Sequence, residues 1–106
     1  GIFVNLASAA ALGTLTFTTS AGADSTHTII NGLAPAPYGM AYVAKSGASA
    51  DLPDYGEACT SGWTPVANGA ALTTASGQTI TVALVNTTKG NTATAGGSAA
   101  AVVGGA

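Results

Sequence analysis

From Gln78 to Val85 the chain alternates. Ile80, Val82 and Leu84 fall on one side, and Thr79, Thr81, Ala83 and Val85 on the other. A period of two puts successive side chains on opposite faces of an extended backbone, so this run predicts a β-strand. The pattern recurs at Gly13 to Thr19, where Leu15 and Phe17 alternate with Thr14, Thr16 and Thr18. Thr26 to Ile30 reads as a strand closed by the turn dipeptide Asn31-Gly32. In Tyr38 to Lys45, Met40, Tyr42 and Ala44 share one face and Ala41, Val43 and Lys45 the other. Trp63 to Val66 reads as a short strand, and Ala70 to Thr74 lies between the turns Asn68-Gly69 and Ser76-Gly77.

The remaining segments are weaker. Thr92 to Val103 is an Ala-rich strand without strict alternation, which leaves its register poorly specified. Pro35 and Pro37 exclude a helix between the second and third strands. Ala7 to Leu12 has helix propensity but is too short to persist alone, and Gly13 ends it. Ser20 to Ser25 and Lys89-Gly90-Asn91 read as turns, and Gly104 to Ala106 as a loose end.

About seven short strands at roughly 8–12-residue spacing predict an all-β fold, a small β-sandwich or barrel. The expected organisation is an apolar N-terminal arm over residues 1–12 and a single β domain over 13–106. The polar connection Ser46 to Ser61 could divide the chain, but each half would be too small to fold by itself.

The core must be thin. Ile, Leu, Val and Phe supply 20 of the 106 residues, whereas Ala, Gly, Thr and Ser supply 63. Apolar burial contributes about 25 cal/mol per Å2, while ordering costs about 1–2 kcal/mol per backbone residue. Ala adds little buried area, and Gly loses the most freedom on folding. Stability in isolation should be modest, and a partner surface or identical neighbours would raise it. A surface of short side chains also loses little rotamer entropy on packing, which suits a subunit repeated in a dense array.

Charge narrows the function classes. Two Lys and no Arg, with a formal net charge of −2, cannot neutralise a run of phosphates, which excludes a basic nucleic-acid binder. Few side chains can move protons, so an enzyme is not expected. The most apolar stretch, Ile2 to Leu12, is too short to cross a bilayer and lacks a basic start, so no membrane association is expected. The chain begins at Gly1, which implies either a removed initiator Met or a cleaved leader.

Chemistry-bearing residues are sparse. Cys59 is the lone cysteine, so no disulfide can form within the chain; a small buried residue is expected. Asp51, Asp54 and Glu57 cluster, but calcium needs six to eight oxygens and the spacing is not that of an EF-hand; a solvated loop is expected. No metal site and no cofactor are expected, since His27 alone cannot build a zinc centre. A Ser-His-Asp triad can be assembled on paper, without a nucleophile-elbow motif. Asn86-Thr87-Thr88 matches the glycosylation pattern. Tyr55 and Trp63 are candidates for a sugar-stacking surface, although a single Trp in a small β domain is ordinarily core.

The C-terminal half carries a resemblance. Tyr-Gly-Glu-Ala at 55–58 precedes Ser-Gly-Trp-Thr-Pro-Val-Ala-Asn-Gly at 61–69. Leu-Thr-Thr-Ala-Ser-Gly-Gln-Thr-Ile-Thr-Val-Ala-Leu-Val-Asn follows at 72–86. A Gly-Trp-Thr turn before a Ser-Gly-Gln-x-Ile-x-Val strand resembles the small β-rich accessory and decoration proteins of tailed-phage capsids. The resemblance spans Tyr38 to about Gly97; it departs at Leu84, where such modules often carry an acidic residue. It implies a capsid decoration protein on the outer surface of the virion, docked on the major capsid protein or on identical subunits as a homo-oligomer.

Ile2, Phe3, Val4 and Leu6 form the candidate assembly interface, because an apolar cluster at an end needs docking. It could add a strand to its own sheet or reach a neighbour. Two other readings stand beside decoration: an extracellular, pilus-like filament subunit polymerising by donor-strand exchange, and a carbohydrate-binding module using Tyr55 and Trp63.

Overall fold

The computed structural model describes residues 11–105. It is all-β, with eight strands in two sheets: β1 (Gly13–Thr14), β2 (Thr18–Ala21), β3 (His27–Asn31), β4 (Met40–Gly47), β5 (Thr64–Val66), β6 (Ala71–Thr73), β7 (Thr79–Asn86) and β8 (Thr92–Ala100). A 3-10 turn, Thr87–Lys89, links β7 to β8. The five-stranded sheet has the order β1-β8-β7-β4-β5, and the three-stranded sheet β2-β3-β6. All pairings are antiparallel except β1 with β8.

The alternation in Gln78 to Val85 sorts its side chains as expected. Ile80 and Val82 enter the core between the sheets with Ile30, Leu33, Tyr42, Ala44, Leu72 and Phe17. Ala83 and Val85 join a second cluster with Val43, Cys59 and Ala93 on the opposite face of the larger sheet. The central strands are therefore buried on both sides. The polar connection between β4 and β5 supplies the cover for the second cluster, through Cys59 and Trp63, with Leu12 beside them.

The run from Gly13 to Thr19 is divided between sheets rather than forming one strand. β1 pairs with β8, and the Leu15 N–H still donates to Gly96 O at 2.9 Å. Phe17 then turns into the core, and β2 begins at Thr18 on the other sheet. This handover seals one side of the sandwich, where the Thr19 hydroxyl donates to Ala100 O at 2.6 Å. On the other side β5 lies against β6.

The Ala-rich last strand is held in one register. Thr94 is the extra residue at an irregularity beside Leu84 and Val85, and its hydroxyl donates to Leu84 O at 3.0 Å. Gly96 lies under the Leu12 and Leu52 side chains, and Gly97 lies against the Leu15 carbonyl. Neither position has room for a Cβ without movement of a neighbour, so close approach selects the register that alternation leaves open. The C-terminal end is tied down at Gly104, whose N–H donates to Asp24 O at 2.8 Å.

Candidate assembly surface

The candidate interface residues Ile2, Phe3, Val4 and Leu6 lie outside the described residues. What can be placed is the point at which that segment joins the fold. Gly13 pairs with Ala95, and β8 starts at Thr92. Only three β8 residues precede Ala95, so β8 offers little backbone to a segment continuing ahead of β1.

A single row of paired residues crosses the larger sheet from Gly13 through Ala95, Leu84 and Tyr42 to Val66. Gly13 and Val66 thus mark opposite edges at one level. Beside Val66 is a shallow apolar groove lined by Leu33, Ala34, Pro35, Ala36, Ala41, Tyr42, Val66, Ala67 and Asn68. Its walls are fixed. The Tyr42 hydroxyl donates to Ala34 O at 2.8 Å, and the Leu33 N–H donates to Asn68 Oδ1 at 3.2 Å. Gly69, at φ 85°, turns the chain so that its N–H reaches Ile30 O at 2.6 Å.

Tyr38 stands at the same end of the molecule. It is fully exposed, at 103% of its reference area, and follows Pro37 directly. The Met40 N–H donates to Pro37 O at 3.0 Å, and Gly39 O accepts from the Thr87 N–H at 2.9 Å. A rigid turn thus projects a large aromatic side chain into solvent, the arrangement of an interface anchor. Tyr38 and the groove were not singled out by sequence reasoning. The signal was present in a Tyr closely preceded by two prolines and followed by Gly39, a residue with φ 78°.

Tyr55 and Trp63 have different settings. Trp63 is half-buried against the Val43–Cys59 cluster, and Lys45 Nζ sits 4.6 Å from its ring centroid. Lys45 is held there by Asp51 Oδ2 at 2.5 Å. That cation occupies one face of the ring. Tyr55 is exposed on the turn of the covering segment.

The acidic triplet does not act as one group. Asp51 binds Lys45, its N–H donates to Thr81 Oγ1 at 3.1 Å, and Glu57 Oε1 accepts from the Asp54 N–H at 2.9 Å. Among the described residues, no three His, Cys, Asp or Glu side chains converge as metal ligands.

His27 does meet a carboxylate, with Nδ1 2.8 Å from Asp24 Oδ1. The hydroxyl that approaches the ring, Thr26 Oγ1, meets the same nitrogen at 3.0 Å. A triad needs its nucleophile at the other ring nitrogen. The group is a turn lock, in which Asp24 Oδ1 also accepts from the Thr26 N–H at 2.9 Å. These bonds hold the Asp24 carboxyl well below the usual carboxylate range, the Thr26 hydroxyl contributing most and the His27 ring next.

Cys59 is buried as expected, and its Sγ–H contacts Glu57 O at 3.6 Å. Burial, followed by the Glu57 charge, raises its pKa, which favours the thiol over the reactive thiolate. Asn86 uses its side-chain carbonyl to cap the 3-10 turn, accepting from the Thr88 N–H at 3.0 Å.

No protein-family model, curated protein or solved structure matches the chain.

Proposed function

We propose that the chain is a non-enzymatic structural subunit of a large repeating assembly, and specifically a decoration protein on the outer surface of a tailed-phage head. The observation that carries this reading is the presence of apolar features at one end of the fold, on both edges of the larger sheet. Leu12 just ahead of β1, the proline-braced Tyr38 and the apolar groove all belong there. None of the groove-lining residues is charged, and Ile2 to Leu6 carries no charged side chain. Desolvating such surfaces costs little, and the gain per copy is multiplied over many copies.

In this reading Ile2, Phe3, Val4 and Leu6 form the attachment segment, the protein needs no cofactor, and its partners are the major capsid protein and identical subunits. The test is co-sedimentation with phage heads lacking the protein, beside negative-stain microscopy of the protein alone. Intact chain should pellet with heads, and deletion of residues 1–6 should abolish attachment. Attachment of the truncated chain would remove the segment from that role. Long regular fibres of the isolated protein would replace decoration with the extracellular filament reading.

A further inference from the structure

We propose that the groove between Leu33–Ala36 and Val66–Ala67 is the acceptor for the apolar segment Ile2–Leu6 of a second copy of this chain. The inference rests on the reading of that segment as an assembly contact and names its partner.

The argument starts from the row that joins Gly13 to Val66. The two residues lie at opposite edges of a five-stranded sheet, four strand spacings or about 19 Å apart. The described chain begins beside the first edge and the groove opens at the second. In a neighbour placed edge to edge, the groove beside its Val66 comes next to the departure point of this copy's segment. Phe3 stands ten positions ahead of Gly13, a reach of up to about 33 Å. The distance between adjacent copies is easily covered.

The route to the same copy's groove is less direct. Leu12 packs on the Cys59–Val85 face of the sheet, whereas Leu33, Tyr42 and Val66 belong to the inter-sheet side. A segment folding back must therefore pass around the end of the sheet. That end is closed by the Thr87–Lys89 turn, bonded to Gly39 through both the N–H and the hydroxyl of Thr87.

The groove also fits the chemistry of its occupant. Apart from Asn68, its lining is aliphatic and aromatic, while Ile2, Phe3 and Val4 are apolar and unusually bulky for this chain. Pro65 in β5 withholds one backbone donor from that edge, so side-chain burial in the groove, more than ladder pairing, carries the contact. A contact between two different surfaces is heterologous. It closes into a ring where the rotation permits and otherwise propagates.

The test uses full-length chains with one side disabled. Phe3→Asp cripples the donor segment, and Ala67→Glu places a charge at an exposed position in the groove. Far-ultraviolet circular dichroism verifies that both variants are folded, with Ile2→Asp and Ala36→Glu as replacements if either is not. In sedimentation velocity the intact chain should associate beyond a dimer, and each variant alone should be monomeric. An equimolar mixture should form one-to-one dimers and nothing larger, because one functional segment and one functional groove remain.

A mixture that stays monomeric would overturn the proposal, pointing to the chain's own groove or a different protein as acceptor. So would an intact chain that is monomeric at every concentration reached. Head binding is read separately. Loss of head binding by Phe3→Asp without any self-association retains the decoration reading and rejects this one. Complementing dimers without head binding do the reverse.

Discussion

Asp24 shows how much one side chain can organise in a chain with so few charges. Its carboxylate accepts from the Thr26 hydroxyl and N–H and meets the His27 ring, while its backbone carbonyl accepts from Gly104. Because its pKa is lower in the folded state than in the unfolded chain, the unfolded chain takes up the proton first as pH falls. The stabilisation is present above the ordinary carboxylate range and is lost on acidification through the folded value. Melting temperature should therefore fall more steeply for the native chain than for Asp24→Asn between about pH 4 and pH 2. Parallel curves would show that the turn lock contributes nothing. The effect is local: Asp24 joins β2 to β3 at the end remote from Tyr38, so mild acid should leave the groove intact.

At the scale of elements, the glycines of β8 decide more than its side chains do. A Cβ at Gly97 would overlap the Leu15 carbonyl, where the chain passes from β1 to β2. Gly97→Ala should therefore destabilise the fold by about 1–3 kcal/mol, as overpacking does. Denaturant unfolding would show it as a lower midpoint, whereas an unchanged midpoint would mean that the handover between sheets is loose. This position also marks what could be read in advance. Strong alternation revealed β3, β4 and β7, and the Asn68-Gly69 and Ser76-Gly77 turns bracketed β6. Alternation at Gly13 to Thr19 was also real, but period two carries no record of which sheet a strand joins. The strand therefore divided at Leu15 to Phe17. The cover supplied by Leu52, Cys59 and Trp63 was hidden for another reason: its apolar residues are irregularly spaced within a polar run. The candidate interface was legible only as an apolar cluster. Its acceptor groove draws on residues around 33–42 and 66–68, which only the fold brings together.

For the whole molecule, the scarcity of charge sets how assembly should respond to solution conditions. Neither Ile2–Leu6 nor the groove contains an Asp, Glu, Lys, Arg or His, so screening has little to act upon. Self-association should change by less than about twofold between dilute and molar sodium chloride, where the Debye length falls to about 3 Å. It should strengthen in sulfate, which favours apolar burial. Sedimentation equilibrium across a salt series measures both effects. Dissociation by sodium chloride alone would place the contact on Lys45, Lys89 or the acidic covering segment instead.

Trp63 gives the fold a built-in lamp, and its position determines what that lamp illuminates. As the sole tryptophan it dominates the near-ultraviolet emission, yet it lies over the outer cluster beside Lys45 rather than between the sheets. Its colour and intensity report whether the covering segment is seated. Far-ultraviolet dichroism reports the strands beneath. If the cover lifts before the sandwich melts, emission shifts red at a lower temperature than the strand signal decays, making one native residue a gauge of peeling as distinct from collapse.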